Sequence, residues 1–175
     1  AGLPVQINTT VCQQTLPHVP ALYTLLAERF SPPVRRWSLF LLVSVGRATE
    51  LGAPTPAEVD ALFAWVYAQS ERAPFHVGTV EAPHYRRYYL QRKLAEGMSP
   101  QALAHSAGRL GFGVRDGNGV VFVSHRGDVF PAGFLPSPLL GNVRTDRLGE
   151  LYSRAPALRV LRDPTHYTGR CGRCE

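Results

Sequence analysis

Two cysteines near the end of the sequence have the spacing of ligands to a metal or a cluster. Cys171 and Cys174 are separated by two residues, and Gly169 before them suits a turn. Two such thiolates can hold one zinc ion or iron–sulfur cluster, centres that usually take four ligands. The third cysteine, Cys12, is predicted to be a small buried apolar residue. We therefore expect the remaining ligands to lie outside this sequence; the other interpretations are a disulfide or a pair without function.

Polar side chains lie near the end of the first predicted strand. The segment Leu3–Val11 alternates and is rich in residues that favour strands. Asn8, Thr9 and Thr10 offer amide and hydroxyl groups near its carboxyl end, where ligands bind in parallel α/β folds. These groups either contact a ligand or form local hydrogen bonds at the start of the loop.

A glycine and an arginine follow the second predicted strand. Trp37–Val43 is apolar almost throughout, which is typical of a parallel strand buried on both faces. Val45 and Gly46 come next, and a glycine there lets a ligand approach the backbone closely. Arg47 is suited to a carboxylate or a phosphate. The alternative is a tight turn with a solvated arginine.

A third polar group follows the predicted strand Phe75–Val80. Glu81, His84 and Arg86 lie close together where the chain changes character, and pockets often form at such boundaries. They are therefore candidates for lining a substrate site. The alternative is the polar face at the start of a helix.

The segments between these strands have helical patterns. A helix is predicted over residues 18–30, and a second begins with Thr55 as N-cap, Pro56 at the first position and Glu58 completing a capping box. The alternation of strands and helices predicts a parallel α/β layer. The residues predicted to face the core are Val19, Leu22, Leu25, Leu26 and Phe30 in the first helix, and Val59, Leu62, Phe63 and Val66 in the second.

The last third of the chain is predicted to form short strands and short helices. Val120–Val123 and Val129–Phe130 predict a β-hairpin, Thr145 is predicted to cap a short helix, and Pro156 to begin another. We expect residues 1–95 to form one part, residues 96–110 a helical connection, and residues 111–175 an extension.

Composition limits the classes of protein and partner. Hydrophobic residues make up 45% of the chain, but no apolar run is long enough for a membrane span and no leader precedes the first strand. We therefore expect a cytoplasmic protein without membrane contact. The formal charge is +6, but the arginines are scattered, so a small molecule or peptide is expected rather than nucleic acid.

Together, several of these segments resemble one family. Leu3–Val11 and Arg36–Arg47 are similar to the last strands of a radical S-adenosylmethionine partial barrel. The hairpin at Gly127–Pro131, followed by Gly141–Val143 and by Cys171 with Cys174, resembles the extension called SPASM or twitch. Glu81–Arg87 resembles the connecting segment of a subgroup linked to pyrroloquinoline quinone synthesis and heme modification.

The resemblance implies an α/β fold, consisting of the last strands and helices of a partial (β/α) barrel followed by a small α+β extension. The parent would be an oxidoreductase with [4Fe–4S] clusters, in which a deoxyadenosyl radical abstracts a substrate hydrogen. Asn8, Thr10, Val45 and Gly46 would line the S-adenosylmethionine site, with Arg47 beside them.

The resemblance also has consequences for the clusters. Cys171 and Cys174 would be ligands of an auxiliary cluster, although Ala132 stands where the pattern has a further cysteine. The three-cysteine motif of the catalytic cluster would precede Ala1, so the chain by itself is expected to be inactive and to hold no cluster of its own without the parent. Two alternatives come from other classes: a basic module that binds an anionic partner or nucleic acid, and a small zinc protein.

A truncated barrel would expose an unpaired strand edge and an apolar inner face. We therefore predict that the isolated chain forms a homodimer through the edge of Leu3–Val11, or aggregates. Sedimentation velocity measures this, and a monodisperse monomer would contradict the prediction.

Overall fold

The structure is a computed structural model in which residues 2–103 and 115–173 are described, except for the side chains of Arg115 and Cys171. Sequence predictions that concern Cys174, the thiol of Cys171 or residues 104–114 lie outside the described residues. The chain divides into two compact units, residues 1–111 and residues 112–175, and each is described separately.

The first unit contains a parallel sheet of three strands. These are β1 (Val5–Val11), β2 (Val34–Leu41) and β3 (His76–Val80), in the order β1-β2-β3. Both strand pairs are parallel, and residue Asn8 of β1 lies opposite Ser38 of β2. Strand β1 is therefore an edge of this sheet, and β2 lies in its centre.

Helices α1 (Val19–Arg29) and α2 (Pro56–Ser70) connect these strands, and α3 (Pro83–Ala95) follows the third. The predicted start of α2 is confirmed. The Thr55 hydroxyl accepts a hydrogen bond from the backbone N–H of Glu58, whose carboxylate accepts one from the Thr55 N–H. This reciprocal capping box satisfies two backbone donors that the helix cannot pair internally.

One face of the sheet forms the core with the helices. Trp37 is fully buried there, where its ring stacks on Tyr23 at 6.2 Å between ring centroids and meets Trp65 edge-on at 6.2 Å. The indole N–H of Trp37 donates to the Thr9 hydroxyl at 2.9 Å. The buried residues of this core are Val11, Val19, Leu26, Val34, Trp37, Leu39, Leu41, Leu62, Phe63, Val66, Phe75, Val77 and Ala82.

The predicted core face of α1 is only partly correct. Val19 and Leu26 are buried, but Leu25 is 41% exposed and Phe30, just past the end of the helix, is 48% exposed. Position 25 neighbours position 26 in sequence, yet lies about 100° away around a helix with 3.6 residues per turn. In α2, by contrast, the predicted face is confirmed for Leu62, Phe63 and Val66.

A polar network fastens the end of α3 to α2. The buried Tyr67 donates from its hydroxyl to Glu96 at 2.6 Å, and the Lys93 ammonium lies 3.1 Å from the Glu71 carboxylate. Lys93 also lies 5.0 Å from the centre of the Tyr67 ring. The hydrogen bond from Tyr67, followed by the nearby positive charge of Lys93, lowers the pKa of Glu96.

The second unit contains short strands and helices. The strands are β4 (Arg115–Asp116), β5 (Gly119–Val120), β6 (Phe122–Val123), β7 (Asp128–Phe130) and β8 (Gly141–Asn142); the helices are α4 (Leu148–Arg154) and α5 (Pro156–Arg162). Strands β6, β7 and β8 form an antiparallel sheet, and β4 pairs with β5. Pro156 begins α5, as predicted.

The predicted cap of the short helix α4 is wrong. Arg147 occupies the N-cap position without a side-chain hydrogen bond, and Thr145 lies two residues earlier. The Thr145 hydroxyl is 3.2 Å from the Asn142 carbonyl oxygen and 3.1 Å from a carboxylate oxygen of Asp146. The Thr145 hydroxyl therefore forms hydrogen bonds within the loop instead of capping the helix, as the sequence pattern had predicted.

The remaining described segments are short. Two 3₁₀ turns, Pro164–His166 and Cys171–Arg173, follow α5. Among the described residues, none of the helices combines the length and the apolar character that crossing a bilayer requires.

Candidate functional site

The second face of the three-stranded sheet is largely polar. Because side chains alternate along a strand, the residues of β1, β2 and β3 that point away from the helices form three rows across the sheet. We call this the polar face, and it consists of Gln6, Arg36 and His76, then Asn8, Ser38 and Gly78, then Thr10, Phe40 and Val80.

The composition of this face differs from the apolar inner face that the sequence predicted. Gln6, Asn8, Thr10, Arg36 and His76 are all exposed. The apolar members, Phe40 and Val80, lie in the row nearest the carboxyl ends of the strands. A polar face with hydroxyl, amide and guanidinium groups is suited to a polar ligand rather than to a purely hydrophobic one.

Asn8 and Thr10, two of the predicted cofactor-binding residues, lie on this face. They are two positions apart on β1, so their side chains are separated by about 7 Å along the strand. Asn8 accepts a hydrogen bond from the Gln6 amide at 2.8 Å, and within the described residues its own amide N–H groups have no partner. These donors are directed to the same side of the sheet as the Thr10 hydroxyl.

Thr9 has a structural role instead. It lies on the helix side of β1, where its hydroxyl accepts the indole N–H of Trp37. Of the three polar residues near this strand end, the alternation of the strand therefore leaves Asn8 and Thr10 on the polar face and assigns Thr9 to the core.

The turn after β1 is held by Thr15. Its hydroxyl donates to the Thr10 carbonyl oxygen at 2.7 Å and accepts the backbone N–H of Cys12 at 2.9 Å. Cys12 is buried, as predicted, and hydrogen bonding to Thr15 lowers the pKa of its thiol. The Cys12 sulfur is thus positioned within this turn and not on the polar face.

The loop after β2 begins at the same edge of the sheet. The Leu42 N–H donates to the Val11 carbonyl at 3.1 Å, which extends the β1–β2 pairing beyond the strand. Val45 is extended, and Gly46 has a φ of 56°, a conformation that favours glycine. A Cβ atom at Gly46 would contact nothing within 4 Å, so the backbone there is accessible from that side. Arg47 is exposed.

Glu81 immediately follows β3 and has an unusual backbone conformation. Its φ is 58°, in the left-handed region that is uncommon for residues with a Cβ atom. The Glu81 side chain is exposed. Strain of this kind costs roughly 1 kcal/mol or more, so packing around the buried Ala82 must hold this turn in place.

The other two predicted substrate-lining residues begin α3. The His84 ring packs on Phe63 of α2, with 4.8 Å between ring centroids, and Arg86 is half-buried. Their neighbour Tyr85 packs on the same Phe63 ring at 5.2 Å, and burial raises its pKa to about 12. His84 therefore contributes to the α2–α3 contact through its ring face.

Sequence reasoning missed two basic side chains on the polar face. Arg36 and His76 are direct neighbours across β2 and β3. Partial burial, with a smaller contribution from the charge of Arg36, lowers the pKa of His76. The signal was present in the sequence, since Arg36, Ser38 and Phe40 alternate with the core residues of β2.

The described residues do not provide a cluster site. No group of three or more His, Cys, Asp or Glu side chains in this part of the chain is arranged to hold a metal ion. Cys171 lies in the last 3₁₀ turn, and the positions of both candidate thiols are outside the described side chains. Ala132, which stands where the family pattern has a cysteine, is buried.

Comparison with known proteins shows similarity along the whole chain. The sequence is 36% identical to an AdoMet-dependent heme synthase of Oleidesulfovibrio alaskensis, and the alignment covers all of this chain and 45% of that protein. It is 34% identical to proteins of the same name from Methanosarcina barkeri and Nitratidesulfovibrio vulgaris, of which it covers 49% and 47%. The chain thus spans about half the length of the curated relatives it matches. No family model matches the sequence.

Proposed function

We propose that this chain is the carboxyl-terminal part of a radical S-adenosylmethionine enzyme that acts in the synthesis of heme or a heme-like cofactor. The observation that carries the proposal is the similarity of the entire chain to proteins named AdoMet-dependent heme synthase. The order of the strands, and the SPASM-like spacing of the hairpin and the two cysteines, support the same assignment.

In this proposal the three parallel strands are the last strands of a partial (β/α) barrel, and the polar face is the inside of that barrel. S-adenosylmethionine then lies against the carboxyl-terminal rows of this face, where ligands of parallel α/β folds bind. When bound and reduced, it supplies the radical chemistry that removes a hydrogen atom from the substrate.

In this proposal, residues of this chain bind S-adenosylmethionine and orient it. The Asn8 amide and the Thr10 hydroxyl supply hydrogen bonds to polar groups of S-adenosylmethionine, and the accessible backbone at Val45 and Gly46 allows a close approach. Exposed Arg47 and Glu81 follow neighbouring strands and offer opposite charges to the ligand or the substrate. His84 and Arg86, at the start of α3, lie next along the chain.

The catalytic cluster does not fit within the described residues, because these lack a set of three metal-ligating side chains. We therefore propose that its cysteines belong to a preceding part of the protein, and that the chain by itself does not generate the radical. Cys171 and Cys174 remain proposed ligands of an auxiliary cluster. Sequencing the coding DNA upstream tests this directly: the proposal requires a Cys-x-x-x-Cys-x-x-Cys motif there.

Replacing the two polar side chains near the end of β1 should weaken binding of S-adenosylmethionine. In the longer protein with its cluster reconstituted, we expect Asn8→Ala and Thr10→Ala each to raise the dissociation constant about 10- to 150-fold, the range for a lost hydrogen bond to a charged ligand. Equilibrium dialysis with labelled S-adenosylmethionine measures this constant.

The matched control is Thr24→Ala on α1, where the hydroxyl donates to the Pro20 carbonyl and is exposed. This variant should bind S-adenosylmethionine with unchanged affinity. If the double variant of Asn8 and Thr10 also binds normally, the polar face is not the S-adenosylmethionine site. Formation of heme by the longer protein, followed by absorbance, then tests the proposed activity separately.

A further inference from the structure

The second unit contains a cleft that the proposed function does not use. Its volume is about 720 Å³, within the range of small-molecule sites. Helix α4 forms one wall, and the segment leading into β8 forms the other. The side chains that carry the argument are Leu139, Leu140, Arg147, Glu150, Leu151 and Arg154.

The helical wall presents charges in a regular order. Glu150, Leu151 and Arg154 share one face of α4, and Arg147, the N-cap residue, precedes them by three, four and seven positions and lines the same cleft. At 1.5 Å per residue, the Cα atoms of the two arginines are about 10 Å apart along the helix axis. Both arginines line the cleft, one from each end of this helical wall.

The opposite wall is apolar. Leu139 is 59% exposed and lines the cleft next to Leu140. Leu151 lies between the two arginines on the helical side. An apolar wall exposed to water is unfavourable, and its burial under an apolar ligand stabilises the complex by about 25 cal/mol per Å² of apolar surface.

The frame around the cleft is held in place without a ligand. A Cβ atom at Gly141 would lie 2.7 Å from a methyl carbon of Leu151, so β8 already packs closely against α4. The Asp146 carboxylate accepts the backbone N–H of Asn142 at 2.8 Å, which fixes the loop between them. A preformed site of this kind loses little conformational entropy on binding.

Three of the charged side chains that line the cleft lack ion-pair partners among the described residues. Among the described residues, no ion pair involves Arg147, Glu150 or Arg154. The Asp146 carboxylate also lines the cleft, and hydrogen bonds from the Asn142 N–H and the Thr145 hydroxyl offset part of its negative charge. Two guanidinium groups are therefore available to acceptors from outside, and guanidinium binds carboxylates through paired hydrogen bonds.

We propose that this cleft binds an elongated apolar molecule with a carboxylate at each end. The two arginines hold the carboxylates, and Leu139, Leu140 and Leu151 contact the apolar body. Glu150 lies between the arginines and disfavours a ligand with negative charge at its centre. The site goes beyond the proposed function, because it involves no residue of the polar face.

The test uses decanedioic acid as the probe, titrated by calorimetry into the 175-residue chain once sedimentation has shown that the preparation is free of aggregate. Decanoic acid, which has one carboxylate, should bind about 5- to 10-fold more weakly, and decane-1,10-diamine should not bind. We expect Arg147→Gln and Arg154→Gln each to weaken decanedioate binding about 3- to 10-fold. Glu150→Gln should strengthen it, since a repulsive charge is removed.

Arg159→Gln is the matched control, because Arg159 is exposed on α5 and does not line the cleft. Its affinity for decanedioate should remain within about 2-fold of the unchanged chain. All variants replace exposed side chains, and circular dichroism verifies that they fold.

The proposal is overturned if decanedioate fails to bind at millimolar concentration, or if the arginine variants bind it as well as the control does. The titration needs neither S-adenosylmethionine nor a cluster, so its outcome is independent of the proposed function.

Discussion

Trp37→Ala should lower the free energy of unfolding of the first unit by about 3–5 kcal/mol, the range for removing a large buried aromatic side chain. Trp37 is fully buried in the centre of the sheet, between Tyr23 and Trp65. Its removal leaves a cavity that these rings cannot fill without moving. Urea unfolding followed by circular dichroism measures the change.

Two further variants separate packing from hydrogen bonding. Thr9→Val leaves the Trp37 indole N–H without its acceptor, which should cost about 1–3 kcal/mol. Trp37→Phe removes the donor of this hydrogen bond, so adding Thr9→Val to it leaves no indole N–H unpaired and should cost much less than Thr9→Val alone. Leu3→Ala is the control, since Leu3 is 72% exposed and should change stability by less than about 0.5 kcal/mol. A loss below 1 kcal/mol for Trp37→Ala would contradict the described core.

Leu158→Ala should destabilise the second unit by about 2–5 kcal/mol. Leu158 of α5 is fully buried, and a Cβ atom added to Gly117 would lie 2.6 Å from one of its methyl carbons. The same contact region is held by Arg162, which donates to the Gly117 carbonyl at 2.8 Å and lies 4.1 Å from the centre of the Tyr152 ring. Removing Leu158 therefore leaves a cavity beneath a turn that cannot easily collapse.

Amide hydrogen exchange measures this effect locally. In Leu158→Ala, the Val129 N–H of the small antiparallel sheet should exchange faster, because opening of the second unit becomes less costly. Exchange in the first unit, such as that of Trp37, should be unchanged if the two units unfold independently. Val160→Ala on the same helix is the control, since Val160 is 46% exposed. Equal acceleration in both variants would argue against a specific role for Leu158.

Local chemistry accounts for what the sequence predicted correctly. Thr55, Pro56 and Glu58 interact within one turn of helix, so the start of α2 follows from the residue types alone. The alternation in Leu3–Val11 and the apolar run after Arg36 predicted strands for the same reason. Each of these features depends on residues a few positions apart.

Features that depend on residues far apart in sequence could not be predicted in this way. From the sequence, the hydroxyl groups of Thr9 and Thr10 are equally good candidates for binding a ligand. In the structure, the pairing of β1 with β2 places the Trp37 indole, 28 positions away in sequence, against the Thr9 hydroxyl. Likewise, Arg36 and His76 became neighbours only through strand pairing. The composition of the polar face is therefore a property of the sheet and its register.

The sequence by itself determined the order of the three strands in the first unit and the start of α2, as well as the resemblance on which the proposed function rests. Only the tertiary structure decided which of Asn8, Thr9 and Thr10 are exposed, and that α4 and the segment before β8 enclose a cleft. The physical reason is the range of the interactions: capping and alternation act between neighbours in sequence, whereas a face or a cleft forms from residues that packing brings together.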